Sequence, residues 1–300
     1  MTDVAAPQAH ATNAEQAQYW NSAGGGHWVE QQAIQDDILA PISALLFAEA
    51  ALQPGERVID IGCGCGATTL EAARRVGPNG SALGVDVSQP MVARARERAQ
   101  EMRSGARFIV ADATLHDFSG AQGDVLLSRF GVMFFGDPVL AFANIRRGLK
   151  SGARVVFACW RPLKVNEWML LPLKAALKHV PRLPEPDPED PGPFAFADEG
   201  RVSRILLAAG FFDVAMKPFE LTLDIAVGRG FETAVSRALE IGPASRALKD
   251  QPEALKAAAR EEIRAALEAR RVGDQLPLKA APWIVHARVP SPRETERGLG

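Results

Sequence analysis

Between residues 57 and 159 short apolar runs alternate with amphipathic stretches, and no other feature of the chain constrains its fold as much. Arg57-Val58-Ile59-Asp60-Ile61, Ala82–Asp86, Phe108–Val110, Gly123–Ser128 and Arg154–Ala158 read as buried strands. Helical patterns lie between them over 67–76, from Ser88 to about Met102, and from Asp137 to Leu149. Strands with no polar face, separated by helices, form a parallel sheet covered on both sides. Each crossover is then right-handed. The expected class is α/β, doubly wound.

The flanks read differently. Residues 1–14 are Ala-rich and polar and are expected to be disordered. Residues 15–51 are expected to be helical, because Ile34, Ile38, Ile42, Leu45 and Leu46 recur at helical spacing, with Pro41 marking a break or a new first turn. Within that stretch, Trp20 and Trp28 flank the triplet Gly24-Gly25-Gly26, which suggests a mobile flap. After Trp160 come a helix over 166–179, a proline-rich acidic loop from Pro181 to Pro193, and a helix from Asp198 to Gly210. A strand over 214–223, helices over 231–239 and 252–271, a last strand over 283–289 and a polar tail complete the chain. Three parts are therefore expected: 1–51 as N-terminal segment and flap, 52–160 as the cofactor-binding core, and 161–300 as the rest of the core with a helical insertion.

With a net charge of −2 over 300 residues, bulk electrostatics give no attraction to nucleic acid. The first Lys or Arg is Arg57, so an Arg-rich transit peptide and a basic nucleic-acid arm are not expected, nor is a secretory signal. No apolar run approaches the roughly 20 residues needed to span a bilayer. Three cysteines, Cys63, Cys65 and Cys159, argue for a reducing, cytoplasmic setting and against a disulfide framework. Cys63 and Cys65 sit in a tight turn with no second Cys/His pair at ligand spacing, so no metal is expected. A homo-oligomer is left open.

That turn, Asp60-Ile61-Gly62-Cys63-Gly64-Cys65-Gly66, follows a strand and opens a helix. Glycines there let a ligand approach the main chain, and the helix N-terminus offers unpaired N–H groups. Asp86 ends the next strand, 24 residues after Gly62, where an acid accepts both hydroxyls of a ribose. The unit reads as a site for an adenosine-containing cofactor. Gly62-x-Gly64-x-x-Ala67 also satisfies a relaxed nicotinamide fingerprint. Asp60 would repel a pyrophosphate but suits an ammonium group, and Asp112 at the end of the third strand is placed for an adenine amino group.

These residues resemble class I S-adenosylmethionine-dependent methyltransferases, and most closely the branch containing the ubiquinone/menaquinone-type enzymes. Val58–Gly66 resembles motif I, Val85-Asp86 with Ser88-x-x-Met91 the second motif, and Ala111-Asp112-Ala113 the third. Val125–Phe130 and Leu149–Ala153 resemble the fourth strand and the turn before the fifth. The resemblance implies a Rossmann-like sheet of seven strands whose last strand is antiparallel and slots between the fifth and sixth. It implies S-adenosyl-L-methionine as cofactor, with Gly62 and Gly64 at the methionine part, Asp60 near its ammonium, and Cys63 and Val87 also among the cofactor-binding residues. Asp86 would meet the ribose, Met91, Asp112 and Ala113 the adenine, and Ser128 would lie beneath the sulfonium.

Direct methyl transfer needs alignment and exclusion of water, and a base only for some acceptors. His27 in the flap and His116 after the third strand are the candidate bases, each with a surface or structural alternative. Arg129 is a candidate partner for an acidic acceptor, or else half of a structural ion pair. Trp20, Trp28, Phe130 and Trp168 are candidates for the walls of an acceptor site. Ser128-Arg129-Phe130-Gly131 stands where an amino-directed DNA or protein-glutamine enzyme would carry Asn/Asp-Pro-Pro-aromatic, so a small-molecule acceptor is expected. Two readings stay beside it: a non-catalytic module that binds the same cofactor, and a nicotinamide-dependent oxidoreductase.

Overall fold

The computed structural model describes residues 13–184 and 187–291. Most of the N-terminal stretch expected to be disordered, and the polar tail from 292, lie outside the described residues. Ala14 already opens the first helix.

Helices α1 (Ala14–Trp20), α2 (Ala23–Glu30) and α3 (Gln32–Ala50) precede the sheet. Then β1 (Arg57–Ile61), α4 (Ala67–Val76), β2 (Ser81–Asp86), α5 (Gln89–Glu101) and β3 (Arg107–Val110) alternate. They are followed by β4 (Gly123–Arg129), α6 (Pro138–Arg146) and β5 (Leu149–Trp160). The remaining elements are α7 (Glu167–Ala176), α8 (Glu199–Ala208), β6 (Phe212–Pro218), β7 (Leu221–Asp224), α9 (Phe231–Glu240), α10 (Gly242–Leu248), α11 (Glu253–Glu268), β8 (Pro277–Ala280) and β9 (Pro282–Arg288).

Seven strands form one sheet in the order β3-β2-β1-β4-β5-β9-β6. The first five chain strands pair in parallel, and β9 runs antiparallel between β5 and β6. This is the expected seven-stranded arrangement. Val125, Leu126, Leu127, Val155 and Phe157 are fully buried, as central strands covered on both faces must be. The order reverses between β1 and β4, so the carboxyl ends of these two strands flank the crevice where α/β sheets bind ligands.

Four expectations change. The stretch 214–223 is not one strand: β6 ends at Pro218, and β7 pairs with β8 in a separate two-stranded ribbon. Pro218 has no N–H to continue the ladder, and Phe219 N–H turns to the carbonyl of Pro282. Pro41 does not break α3. Both Pro41 and Asp37, whose carbonyl loses its helical partner to Pro41, are exposed, so water can satisfy that group. The insertion between β7 and β8 has three helices rather than two, and α10 and α11 pack on α7. Finally, the glycine triplet lies inside α2, which packs on α5. A Cβ on Gly25 would stand 2.0 Å from the Trp20 carbonyl and 2.7 Å from Ser88 Oγ, so the glycine serves close approach.

Candidate active site

β1 delivers Asp60 to the switch point of the sheet, and the side chain is wholly buried. Its Oδ2 accepts hydrogen bonds from Thr68 and Thr69 Oγ1, both at 2.6 Å, at the start of α4. Its Oδ1 has no hydrogen-bond partner. Burial pushes the carboxyl up to about 6, against the pull of the two hydroxyls and of the Arg129 charge. A buried carboxylate oxygen left open beside a glycine turn is a group waiting for a donor.

The turn itself takes backbone conformations that glycine adopts without strain. Gly62, Gly64 and Gly66 have φ of +67°, +52° and +85°. Gly62 also lies against Gly131 beyond β4, where a Cβ would stand 2.4 Å from the Gly131 Cα. Gly62 and Cys63 N–H bond back to the Val85 carbonyl, which ties the turn to β2. Cys63 is buried and Cys65 half-buried, and neither is in a disulfide. Burial raises both thiols, that of Cys65 to about 12, so they fill space as neutral groups.

Asp86 ends β2 with Oδ2 accepting from Gly64 N–H at 2.8 Å and Oδ1 from Ser88 N–H at 2.9 Å. Burial raises its carboxyl, while the Ser88, Gly64 and Val87 N–H groups lower it. Met91 is buried, and its Sδ would lie 3.8 Å from a Cβ at Gly64. Asp112 and Ala113 are buried beyond β3. Asp112 Oδ1 accepts from Thr114 N–H at 2.8 Å, and the Ala113 carbonyl accepts from Asn144 Nδ2 at 2.9 Å. Ser128 is fully buried near the end of β4, and its Oγ accepts from Gly131 N–H at 3.3 Å. Sheet topology thus gathers Asp60, Asp86, Asp112 and Ser128 at the carboxyl ends of four neighbouring strands.

The N-terminal helices cover one side of this turn cluster. Asn21 Nδ2 donates to the Val87 carbonyl at 2.9 Å, and its Oδ1 accepts from Gln89 N–H at 2.8 Å. Ser88 is the N-cap residue of α5, yet its hydroxyl donates to the Trp20 carbonyl at 2.6 Å. A residue 68 positions away therefore satisfies the first N–H of α5. Trp20 stands edge-on to Phe134 at 5.2 Å and to Trp28 at 6.4 Å. Sequence reasoning missed Asn21, Thr68, Thr69 and Gly131. The Thr-Thr pair straight after the turn was a usable signal; the partner of Asn21 was not visible without the fold.

The acceptor-side candidates are spread out. Phe130 has φ +66°, an uncommon conformation for a bulky residue. Its ring stacks on Trp160 at 4.1 Å, and Trp160 meets Trp168 at 5.2 Å. Arg129 Nη1 donates to Ser43 Oγ at 2.7 Å, and its Nη2 lies 3.6 Å from Asp36. Asp36 also pairs with Arg98 at 2.8 Å, and Arg98 Nη1 donates to the Cys65 carbonyl. Arg129 is thus committed to a half-buried network that reaches the glycine turn through Arg98. His27 Nε2 lies 3.9 Å from Glu240 of α9. The ring of His116 stands edge-on to the core residue Phe118 at 4.7 Å, and burial lowers its titration.

Residues 58–152 match the methyltransferase domain family. Aklanonic acid methyltransferase of Streptomyces sp. strain C5 is 35% identical over 142 residues, covering 44% of this chain and 64% of that one. Nocamycin O-methyltransferase of Saccharothrix syringae is 29% identical over 187 residues, covering 59% and 67%. The chain therefore spans about two thirds of these relatives. A ubiquinone/menaquinone biosynthesis C-methyltransferase of Burkholderia multivorans, from the branch the motifs resemble, is 30% identical over 40% of this chain. Among solved structures, phosphoethanolamine N-methyltransferase 2 of Haemonchus contortus superposes with a TM-score of 0.55 at 17% identity, over 92% of this chain and 60% of that one, and shares the fold. The motifs and the strand order agree with this match, and residues 58–152 belong to the methyltransferase domain family.

Proposed function

We propose that this chain transfers a methyl group from S-adenosyl-L-methionine to a small-molecule acceptor by direct in-line displacement. The observation that carries the reading is the open Oδ1 of buried Asp60 beside the glycine turn. An ammonium group satisfies it, whereas the pyrophosphate of a nicotinamide cofactor would meet its charge unfavourably. Asp60, Gly62, Cys63 and Gly64 hold the methionine end, Asp86 and Val87 the ribose, Met91, Asp112 and Ala113 the adenine, and Ser128 faces the sulfonium. When bound, the sulfonium supplies a methyl that is already activated.

The protein's share is orientation and dryness. Trp20, Trp28 and Phe134 close the N-terminal side, and Phe130 with Trp160 and Trp168 lines the side toward the insertion. In this reading His27, which lies beside Glu240, takes the proton from an acceptor that carries one. Arg129 reaches the turn through Asp36 and Arg98. Relatives named for aklanonic acid and nocamycin favour a small organic acceptor over a macromolecule. Among the described residues no helix is long and apolar enough to cross a membrane. A cytoplasmic location and no nucleic-acid partner belong to the same reading.

Calorimetry decides it. S-adenosylmethionine should bind and NAD should not, and Asp86→Ala should abolish the binding. NAD binding alone, or undiminished S-adenosylmethionine binding by the variant, would sink the reading.

A further inference from the structure

Among the described residues, one buried guanidinium outside the turn cluster makes no ion pair. Arg237 of α9 is 6% exposed. Its Nη1 donates to Gln31 Oε1 at 3.1 Å, and its Nε has no partner. Among the described residues no carboxylate stands within 4.0 Å of the guanidinium. A buried charge with no ion pair is costly even with the Glu240 charge favouring it from beyond 4.0 Å, and a neutral glutamine would serve Gln31 as well. Burial lowers Arg237 to about 10, which leaves it charged at neutral pH.

Arg237 also lines a cavity of about 30 Å³ whose other walls include Ile38, Trp168, Met169, Ile241 and Leu267. That volume takes about two water-sized groups, the size of a carboxylate. The position is also informative. Trp168 continues through Trp160 to Phe130, two residues beyond Ser128 in the chain. Gln31 follows α2, and His27 of α2 meets Glu240, one turn beyond Arg237. The cavity therefore lies where the cofactor cover and the insertion meet.

We propose that this cavity binds the carboxylate of an acidic, otherwise apolar acceptor, and that Arg237 is the residue that holds it. The proposal names the acceptor class of the methyltransferase reading and rests on it. Arg237 donates charge-assisted hydrogen bonds to the two carboxylate oxygens. The apolar body lies against Trp168 and Met169, and the carboxylate makes the direct contact that Glu240, whose charge favours Arg237 from beyond 4.0 Å, does not make.

The test uses the full chain with S-adenosylhomocysteine present. Benzoate, 2-naphthoate and anthracene-2-carboxylate are each titrated against their carboxamides, followed by tryptophan fluorescence. At least one acid should bind about tenfold or more tighter than its amide. Arg237→Met should erase that preference and Arg237→Lys should reduce it, since an ammonium lacks the guanidinium fork. All three pairs binding within twofold of each other in the wild type overturns the proposal. So does a full preference in an Arg237→Met protein of unchanged melting temperature. Should that variant fail to fold, the wild-type pairs and Arg237→Lys decide. S-adenosylmethionine calorimetry on the same preparation separates the two readings. Cofactor binding without acid preference removes the carboxylate site alone. Acid preference without cofactor binding removes the methyltransferase reading and leaves Arg237 as an anion-binding residue.

Discussion

At the scale of single residues, Asp60 carries the most testable chemistry. Its folded carboxyl titrates near 6, above the ordinary 3.8, so the cofactor-free protein binds a proton there more readily than the unfolded chain does. That contribution to stability is full below 3.8 and is lost as pH rises through 6. Binding of an ammonium runs the other way, because it needs the carboxylate. Cofactor affinity should therefore fall below pH 6, by at most about tenfold per unit, and calorimetry of Asp60→Asn should show weak, pH-independent binding. Gly131 is the second residue. A Cβ there would meet the Gly62 Cα at 2.5 Å and the Ile61 carbonyl at 2.7 Å, both backbone atoms that cannot swing aside. Gly131→Ala should cost about 1–3 kcal/mol in thermal unfolding and lose cofactor binding. Asp60 and the three turn glycines were legible as residues because the chemistry of a tight turn admits few residue types. Gly131 was not, because its constraint comes from a segment about 70 positions away.

Elements carry the next predictions. α1 and α2 are held to the start of α5 by Asn21, which makes two hydrogen bonds across the chain. Asn21→Ala should lower stability by about 1 kcal/mol and raise amide exchange over 14–30 while leaving the sheet protected. Uniform exchange across the chain would show that these helices open only with the core. α11 docks through Ile263 and Leu267, both fully buried. Ile263→Ala should cost about 2–5 kcal/mol. If the insertion shapes the acceptor side, turnover should drop in that variant with cofactor affinity unchanged, and a parallel loss of cofactor affinity would contradict that role. The periodicity of α11 was plain in the sequence. α10 was not, because its seven residues hold too few apolar positions to show a period. The glycine triplet misled for a related reason: three glycines lower helix propensity, and only packing on α5 reveals why α2 forms there.

At the scale of the whole molecule, the N-terminal helices meet the insertion at a polar seam. Gln31 meets Arg237, His27 meets Glu240, and Asp37 pairs with Arg229, so the N-terminal helices and the insertion touch beside the cofactor turn. Cofactor bound under α1 and α2 should therefore slow amide exchange in 231–248 as well as in 14–30, measured with and without S-adenosylhomocysteine. Protection confined to the sheet would argue against such coupling. The alternation of strands and helices, the glycine turn, and the acids that end β2 and β3 were determined by the sequence alone. They depend on local periodicity and on residue types that few alternatives replace. The tertiary structure decided the open oxygen of Asp60, the commitment of Arg129 to Asp36, the cap supplied by Asn21 and the unpaired charge of Arg237. Each of these is a statement about which distant group is present or absent within hydrogen-bonding reach, and spacing along a chain carries no such information.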